Sequence, residues 1–136
     1  MPVNLVVSDD AIDLEVSGRW DRMMCMTSAE HVAMADVIGA RLAGWDEVKA
    51  GLGWRVGGAY VPSLIATGWY AVPDRKGARQ LLAVFRDRDE LLVIDTRLEK
   101  PCRIVVSHPD RERLAWWINE RVHPATETAS ETDPSD

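Results

Sequence analysis

The sequence is poor in the residue types that mark several classes of protein. Its 136 residues include only two cysteines and three histidines, and the two cysteines are too few and too far apart for a disulfide framework. No segment approaches the ~18 consecutive apolar residues that span a bilayer. The opening MPVNLVVSDD also has no basic leading segment. We therefore expect a cytoplasmic chain with buried, reduced cysteines and no transmembrane segment.

Positive charge is the scarcer sign, with 16 Lys and Arg against 22 Asp and Glu and a formal net charge of -6. The stretch HPATETASETDPSD at the end contains four of the acids and no Lys or Arg. Because it has no large apolar residue, it cannot offset the entropy lost on ordering. We predict a domain over residues 1–122 and a disordered acidic tail over residues 123–136. The lack of clustered basic residues argues against nucleic-acid binding.

Alternation of apolar and polar residues dominates the domain and is typical of β-strands. A hairpin is expected from residues 4–8 and 12–16, and a bent strand from 32–42 that carries Val37 and Ile38 into the core. Residues 46–52 have the pattern of a short helical turn, whereas residues 18–26 fit either a helix or an irregular connector. Four later strands are predicted at 65–72, 80–86, 91–96 and 103–107. Since no crossover helix separates them, we expect an antiparallel sheet.

A C-terminal helix follows the last predicted strand. Ser107 or His108 is the expected N-cap, with Pro109 in the first turn and Pro124 as the stop. The residues with the spacing of one apolar face are Leu114, Trp117, Ile118 and Val122. The predicted class is α+β, mainly β, with this helix packed against a small barrel or half-barrel.

Several phrases in the sequence carry a family resemblance. They are GWRVGGAYVP at 53–62, IATGWY at 65–70, LVID at 92–95 and RIVVSHP at 103–109. With the order of elements, they resemble the bacterial pleckstrin-homology (PH)-like domain family over nearly all of residues 3–122. The resemblance implies an antiparallel barrel or half-barrel of about seven strands with a C-terminal amphipathic helix. In these phrases the glycine pair and the proline are expected to mark tight turns.

The chain departs from that family at three places. Ala33-Met34 stand where family members tend to have Pro-Leu, and Ser63 stands where they tend to have glycine. The loop between the first two strands is Ser8-Asp9-Asp10, whereas family members that hold phosphoinositides have Lys and Arg there. Two aspartates repel a phosphorylated headgroup, so phosphoinositide binding is not expected.

No catalytic, nucleotide or metal motif emerges. The glycines lack both the G-x-G-x-x-G spacing and a following Gly-Lys-Ser/Thr. Two Cys-His pairs, Cys25 with His31 and Cys102 with His108, invite a zinc site but miss the usual ligand spacing. Buried thiols and a helix-capping His108 are the favoured interpretation. We expect a protein that is not an enzyme and has no metal or cofactor.

The six tryptophans and one basic turn supply the candidate contacts. Trp69 and Trp117 are assigned to the core. The residues expected to contact a partner are Trp45, Trp54, Arg55, Tyr60 and Trp116. A weaker candidate for an anion is the turn with Arg75, Lys76 and Arg79, although a solvated turn is favoured there.

The sequence thus predicts a non-enzymatic binding module that acts through protein contacts or self-association. Two alternatives stay open. One is a small-molecule-binding barrel whose mouth lies near Trp45, Trp54 and Tyr60. The other is weak peripheral membrane binding through the basic hairpin tip.

Overall fold

The computed structural model describes residues 3–16, 29–53, 55–61, 65–73, 75–85 and 90–123. Its strands are β1 (Val3–Val7), β2 (Ala11–Val16), β3 (Ala29–Ala33), β4 (Val37–Ala43), β5 (Arg55–Val61), β6 (Ile65–Val72), β7 (Arg75–Phe85), β8 (Leu91–Thr96) and β9 (Arg103–Val106). Its helices are α1 (Trp45–Ala50) and α2 (Arg111–Val122), with a 3-10 turn at Met34–Asp36. The segment 18–26 and all of the predicted tail 123–136 except its first residue, His123, lie outside the described residues.

The strands form two sheets that do not close into a barrel. One sheet has the order β1-β2-β3, and the other has the order β4-β8-β9-β7-β6-β5. The predicted α+β, mainly β class is confirmed. A closed barrel is not formed by the described residues, and the PH-like half-barrel stays a prediction. The predicted bent strand 32–42 is in fact β3 and β4, which belong to different sheets. The 3-10 turn between them is fixed by Met34, which is buried and donates its backbone N–H to Asp10 O at 2.7 Å.

One strand pair overturns the expectation of a wholly antiparallel sheet. β9 lies between β8 and β7, and it pairs antiparallel with β8 but parallel with β7. Two parallel neighbours must be joined by a connection that returns the chain to the starting end of the sheet. Here the connection from β7 to β9 contains strand β8 and no helix. The absence of a helical pattern between two strands was therefore not evidence for antiparallel pairing.

The main core lies between the two sheets and α2. The predicted first hairpin is confirmed, since β1 and β2 pair in register, and Ile12, Leu14 and Val16 are buried. Trp69 is also buried as predicted, with Lys100 Nζ 4.6 Å from its ring centroid. Other buried members of this core are Val37, Leu81, Leu92, Ile94, Ile104, Leu114 and Ile118.

Ile38 does not enter the core as predicted. Its side chain is 45% exposed, while its neighbour Val37 is buried. The register between β4 and β8 shifts between Val37 and Gly39. Adjacent strand residues point to opposite faces, so a pattern that places both in one core was wrong.

A second apolar cluster lies under α1 on the other face of the larger sheet. Its buried members are Ala43, Val48, Tyr70, Leu82, Val84, Leu91, Val93 and Val105. The predicted helical turn at 46–52 is confirmed as α1, and Gly51 ends it by donating its N–H to Val48 O at 3.0 Å. Gln80, 1% exposed, ties this end of the helix to the sheet, because its Nε2 donates to Gly51 O at 2.8 Å and Ala71 O at 3.2 Å.

The glycine pair Gly57-Gly58 is not a turn. Both residues lie within β5, where they pair with Trp69 and Gly68 of β6. The register irregularity falls just before them, between Arg55 and Gly57. Glycine in a strand often marks a bulge, and Gly57 lies at such an irregularity here.

Helix α2 starts later than predicted. It begins at Arg111 with Asp110 in the N-cap position, and neither Ser107 nor His108 is the N-cap. His108 Nδ1 instead accepts a hydrogen bond from the Asp110 backbone N–H at 3.0 Å, which closes a turn ahead of the helix. Pro109 lies in that turn and not in the first helical turn.

Cys102 is the buried free thiol that the sequence predicted. It lies beside the start of β9, and burial raises the pKa of its thiol, although Arg75 and Arg103 lower it in part. Because the thiolate is the reactive form, we expect a Cys25→Ser chain to react with a thiol reagent at about pH 8 on the order of 100-fold more slowly when folded than when unfolded. Equal rates in the folded and unfolded chain would contradict a closed site at Cys102. Far-ultraviolet circular dichroism of the Cys25→Ser chain checks that it is folded.

Candidate interaction surface on the C-terminal helix

The residues predicted to contact a partner do not form one surface. Trp45 begins α1 and packs partly buried against the second cluster, on the face of the larger sheet opposite to α2. Arg55 and Tyr60 lie in β5, in register with Tyr70 and Ala66 of β6. Trp54 lies outside the described residues. Of the two whose side-chain burial the structure describes, Trp45 is partly buried and Trp116 is largely exposed, at 60%.

The basic residues begin β7 directly after its hairpin connection to β6, with Arg75 in register with Val72. Arg75 and Lys76 are exposed, and Gly77 between them and the rest of the strand has a φ of +89°. Arg79 is half-buried and donates from Nη1 to its neighbour's carbonyl, Ala78 O, at 2.9 Å. The three predicted residues therefore differ in exposure, because Arg79 is half-buried whereas Arg75 and Lys76 are exposed. An anion contact by Arg75 and Lys76 stays a prediction.

Two adjacent tryptophans stand out on α2. Trp117, which was assigned to the core, is 40% exposed, and Trp116 beside it is 60% exposed. The buried face of the helix consists of Leu114, Ala115 and Ile118. Successive residues are about 100° apart around a helix, so a face that includes Ala115 turns Trp117 toward solvent. The sequence did contain a sign of this orientation, because the small residue Ala115 can pack closely against a sheet. The spacing of the large apolar residues alone did not reveal it.

Arg121 holds Trp117 in place. Its guanidinium carbon lies 5.7 Å from the centroid of the Trp117 ring, and its Nη1 donates to Trp117 O at 3.2 Å. Its Nε lies 3.1 Å from Asp9 Oδ1, on the turn between β1 and β2. A cation over an indole face stabilises the ring, whereas the ion pair with the exposed Asp9 adds little. Asp9 nevertheless links the first hairpin to the helix.

Asn119 anchors the same helix to the edge of the larger sheet. Its Nδ2 donates to Ala40 O at 2.8 Å, and its Oδ1 accepts from Ala40 N–H at 2.9 Å. The side-chain amide thus takes the place of a peptide group on a neighbouring strand. His123 Nε2 lies 3.1 Å from Ile38 O two residues away on β4. Helix α2 is consequently a rigid support, and it covers part of an edge that would otherwise attract another strand.

A network of ion pairs lies on the face of the larger sheet that carries α1, and its charges offset one another. Asp95 lies 3.4 Å from Arg41 Nε and 2.9 Å from Arg103 Nε, and Arg41 also pairs with Glu47 of α1. Two cations are offset by two carboxylates at the surface, where such pairs contribute little to stability. Within the described residues, no three His, Cys, Asp or Glu side chains gather as a metal ion would require. Cys25, one of the four residues considered as zinc ligands from the sequence, lies outside those residues.

Within the part of the chain that the structure describes, no helix is both long enough and apolar enough to cross a membrane. Comparison with protein-family models, with curated proteins and with solved structures gives no match. The PH-like resemblance therefore stays a prediction. The function must be inferred from the surface that α2 presents.

Proposed function

We propose that this protein is a non-enzymatic interaction module that binds another protein through the exposed face of α2, centred on Trp116 and Trp117. The observation that carries the proposal is the exposure of these two adjacent tryptophans on a helix whose other face is buried. Tryptophan is enriched at the energetic centres of protein interfaces. An indole that stays in water in the free protein gains its full apolar burial when a partner covers it.

The support beneath the two rings favours binding as well. Asn119 fixes the helix to β4, and Arg121 fixes Trp117. Side chains that are already held in position lose less conformational entropy when a partner binds. A preorganised aromatic pair on a helix is therefore a better binding element than the same pair on a loop.

Replacing Trp116 by alanine tests the proposal. We expect Trp116→Ala to weaken association at least about 10-fold, since hot-spot tryptophans contribute about 2 kcal/mol or more. The free energy of unfolding should change by less than about 1 kcal/mol, because the side chain is mostly in water. Light scattering after size exclusion measures self-association, and quantitative co-purification measures other protein partners.

Lys49→Ala is the matched control, because Lys49 is exposed on α1, across the larger sheet from α2. It should behave as wild type in both measurements. A Trp116→Ala chain that is indistinguishable from wild type in mass and in bound protein would refute the proposed surface. Circular dichroism of both variants shows that the helix is intact.

A further inference from the structure

The charges that flank the two tryptophans indicate what the partner is. We propose that the partner is a second copy of this chain, whose α2 packs antiparallel against the first across a two-fold axis. This inference rests on the proposed function of the α2 face. It adds the identity of the partner and the orientation in which it binds.

The geometry comes from the spacing of Arg113 and Glu120. They are seven residues apart, so they lie two helical turns apart on nearly the same side of α2, about 10 Å from each other along the axis. Trp116 and Trp117 lie between them in sequence, on the same side of the helix. Arg113 is exposed and Glu120 is partly exposed. Within the described residues, no hydrogen bond or ion pair engages either of the two side chains.

This arrangement is complementary to itself. A two-fold axis midway between the tryptophans reverses the second helix, so that its Glu120 faces Arg113 and its Arg113 faces Glu120. A contact of this kind uses the same surface on both subunits, and each pairing occurs twice. The four indoles then lie between two oppositely charged pairs. They supply the apolar centre, and the ion pairs set the direction.

The parallel arrangement is disfavoured by the same charges. It would place Arg113 against Arg113 and Glu120 against Glu120, and like charges in contact suppress an arrangement. The exposed face of α2 spans only 12 residues, or about 18 Å of helix. An interface of that length is at the small end of the known range, so we expect a dissociation constant on the order of 10 μM.

Charge reversal at the two positions is the test. Wild-type protein examined between about 1 and 200 μM by light scattering should pass from 15.2 kDa to twice that mass. Arg113→Glu should weaken the dimer about 10-fold, because it places two repulsive pairs at the interface, and Glu120→Arg should do the same. An equimolar mixture of the two variants should restore the dimer, since every flanking pair in the mixed dimer is again opposite in sign.

Orientation is tested by the single variants, because in a parallel dimer each reversal would only replace one like-charged pair by another and would not weaken association. The double variant is their control. Arg113→Glu with Glu120→Arg should dimerise within about twofold of wild type, because an antiparallel pair stays complementary when both signs are exchanged. Restored association in the mixture also shows that the single variants are folded. Raising the salt from about 0.05 to 0.5 M should weaken the wild-type dimer by a few fold.

The outcomes separate the two proposals. Wild-type protein that stays monomeric over the whole concentration range overturns the second copy as partner. A different protein partner that depends on Trp116 would then leave the proposed function standing. A dimer that Trp116→Ala abolishes but that neither charge reversal affects overturns the antiparallel arrangement and keeps the surface. A dimer indifferent to Trp116→Ala overturns the α2-to-α2 dimer, and it overturns the proposed function too when Trp116→Ala also leaves the bound protein unchanged.

Discussion

Gln80→Glu is expected to destabilise the protein by about 3 kcal/mol or more near neutral pH. The Gln80 amide nitrogen donates to two carbonyl oxygens, Gly51 O and Ala71 O, from a side chain that is 1% exposed. A carboxylate in its place presents an oxygen to both carbonyls and is removed from water. Repulsion and desolvation both raise the pKa of the introduced carboxyl in the folded state above its ordinary value of about 4.3.

The pH dependence follows from that direction. The folded variant holds its proton at a pH where the unfolded chain has released it. The loss of stability is therefore small below about pH 4, and it grows as the pH rises through the raised pKa. Urea unfolding at several pH values between about 4 and 8 measures it.

Gln80→Met is the matched control, because it removes the same two hydrogen bonds and introduces no charge. It should cost about 1–2 kcal/mol, with the same loss relative to wild type at each pH. A Gln80→Glu chain whose deficit relative to wild type does not change with pH would contradict the position of the amide between Gly51 and Ala71.

Asn119→Leu should cost about 2 kcal/mol, since it leaves both Ala40 N–H and Ala40 O without the partner they now have. Leucine has a similar volume, so packing beneath α2 changes little. Native-state hydrogen exchange gives the local readout. We expect the protection of the Ala40 amide to fall about 10-fold beyond the change in global stability.

His123→Ala serves as the control on the same sheet edge. His123 is exposed, and its contact with Ile38 O involves one atom, so its loss should cost below about 0.5 kcal/mol. Wild-type protection of the Ala40 amide in the Asn119→Leu chain would show that Asn119 does not act as a substitute strand.

Local patterns in the sequence predicted the local structure. The alternation of Ile12, Leu14 and Val16 correctly predicted the buried face of β2, because side-chain alternation is a property of one strand and needs no knowledge of its partners. Gly51 ended α1 for a similarly local reason. The parallel pairing of β7 with β9 arises because β9 inserts between β8 and β7 and does not pair with β8 alone. The residues of the individual strands give no local sign of this insertion. The separation of β3 from β4 likewise depends on a distant contact, because the 3-10 turn between them is fixed by the buried Met34, whose N–H donates to Asp10 O.

The candidate surface was half predicted. Trp116 was placed away from the core by its angle on the helix, and it is exposed. Trp117 was misplaced because its spacing from Leu114 fits an apolar face equally well, and only the packing of Ala115 decides between them. Asn119 was missed altogether. A polar residue beside a buried helix face gives no sign in sequence that it meets a strand 79 residues away.

The central place of β9 also governs how the chain can be assembled during synthesis. Without Arg103–Val106, the larger sheet consists of two separate pieces, β4 with β8 and β5 with β6 and β7. A ribosome delivers the chain from its N-terminus, so both pieces emerge before the strand that joins them. Nearly the whole domain must leave the exit tunnel before the joining strand can insert and α2 can pack over the core. Chains that terminate before residue 103 therefore expose two unfinished sheet edges, on β8 and on β7, and unpaired edges of this kind are open to pairing with other strands.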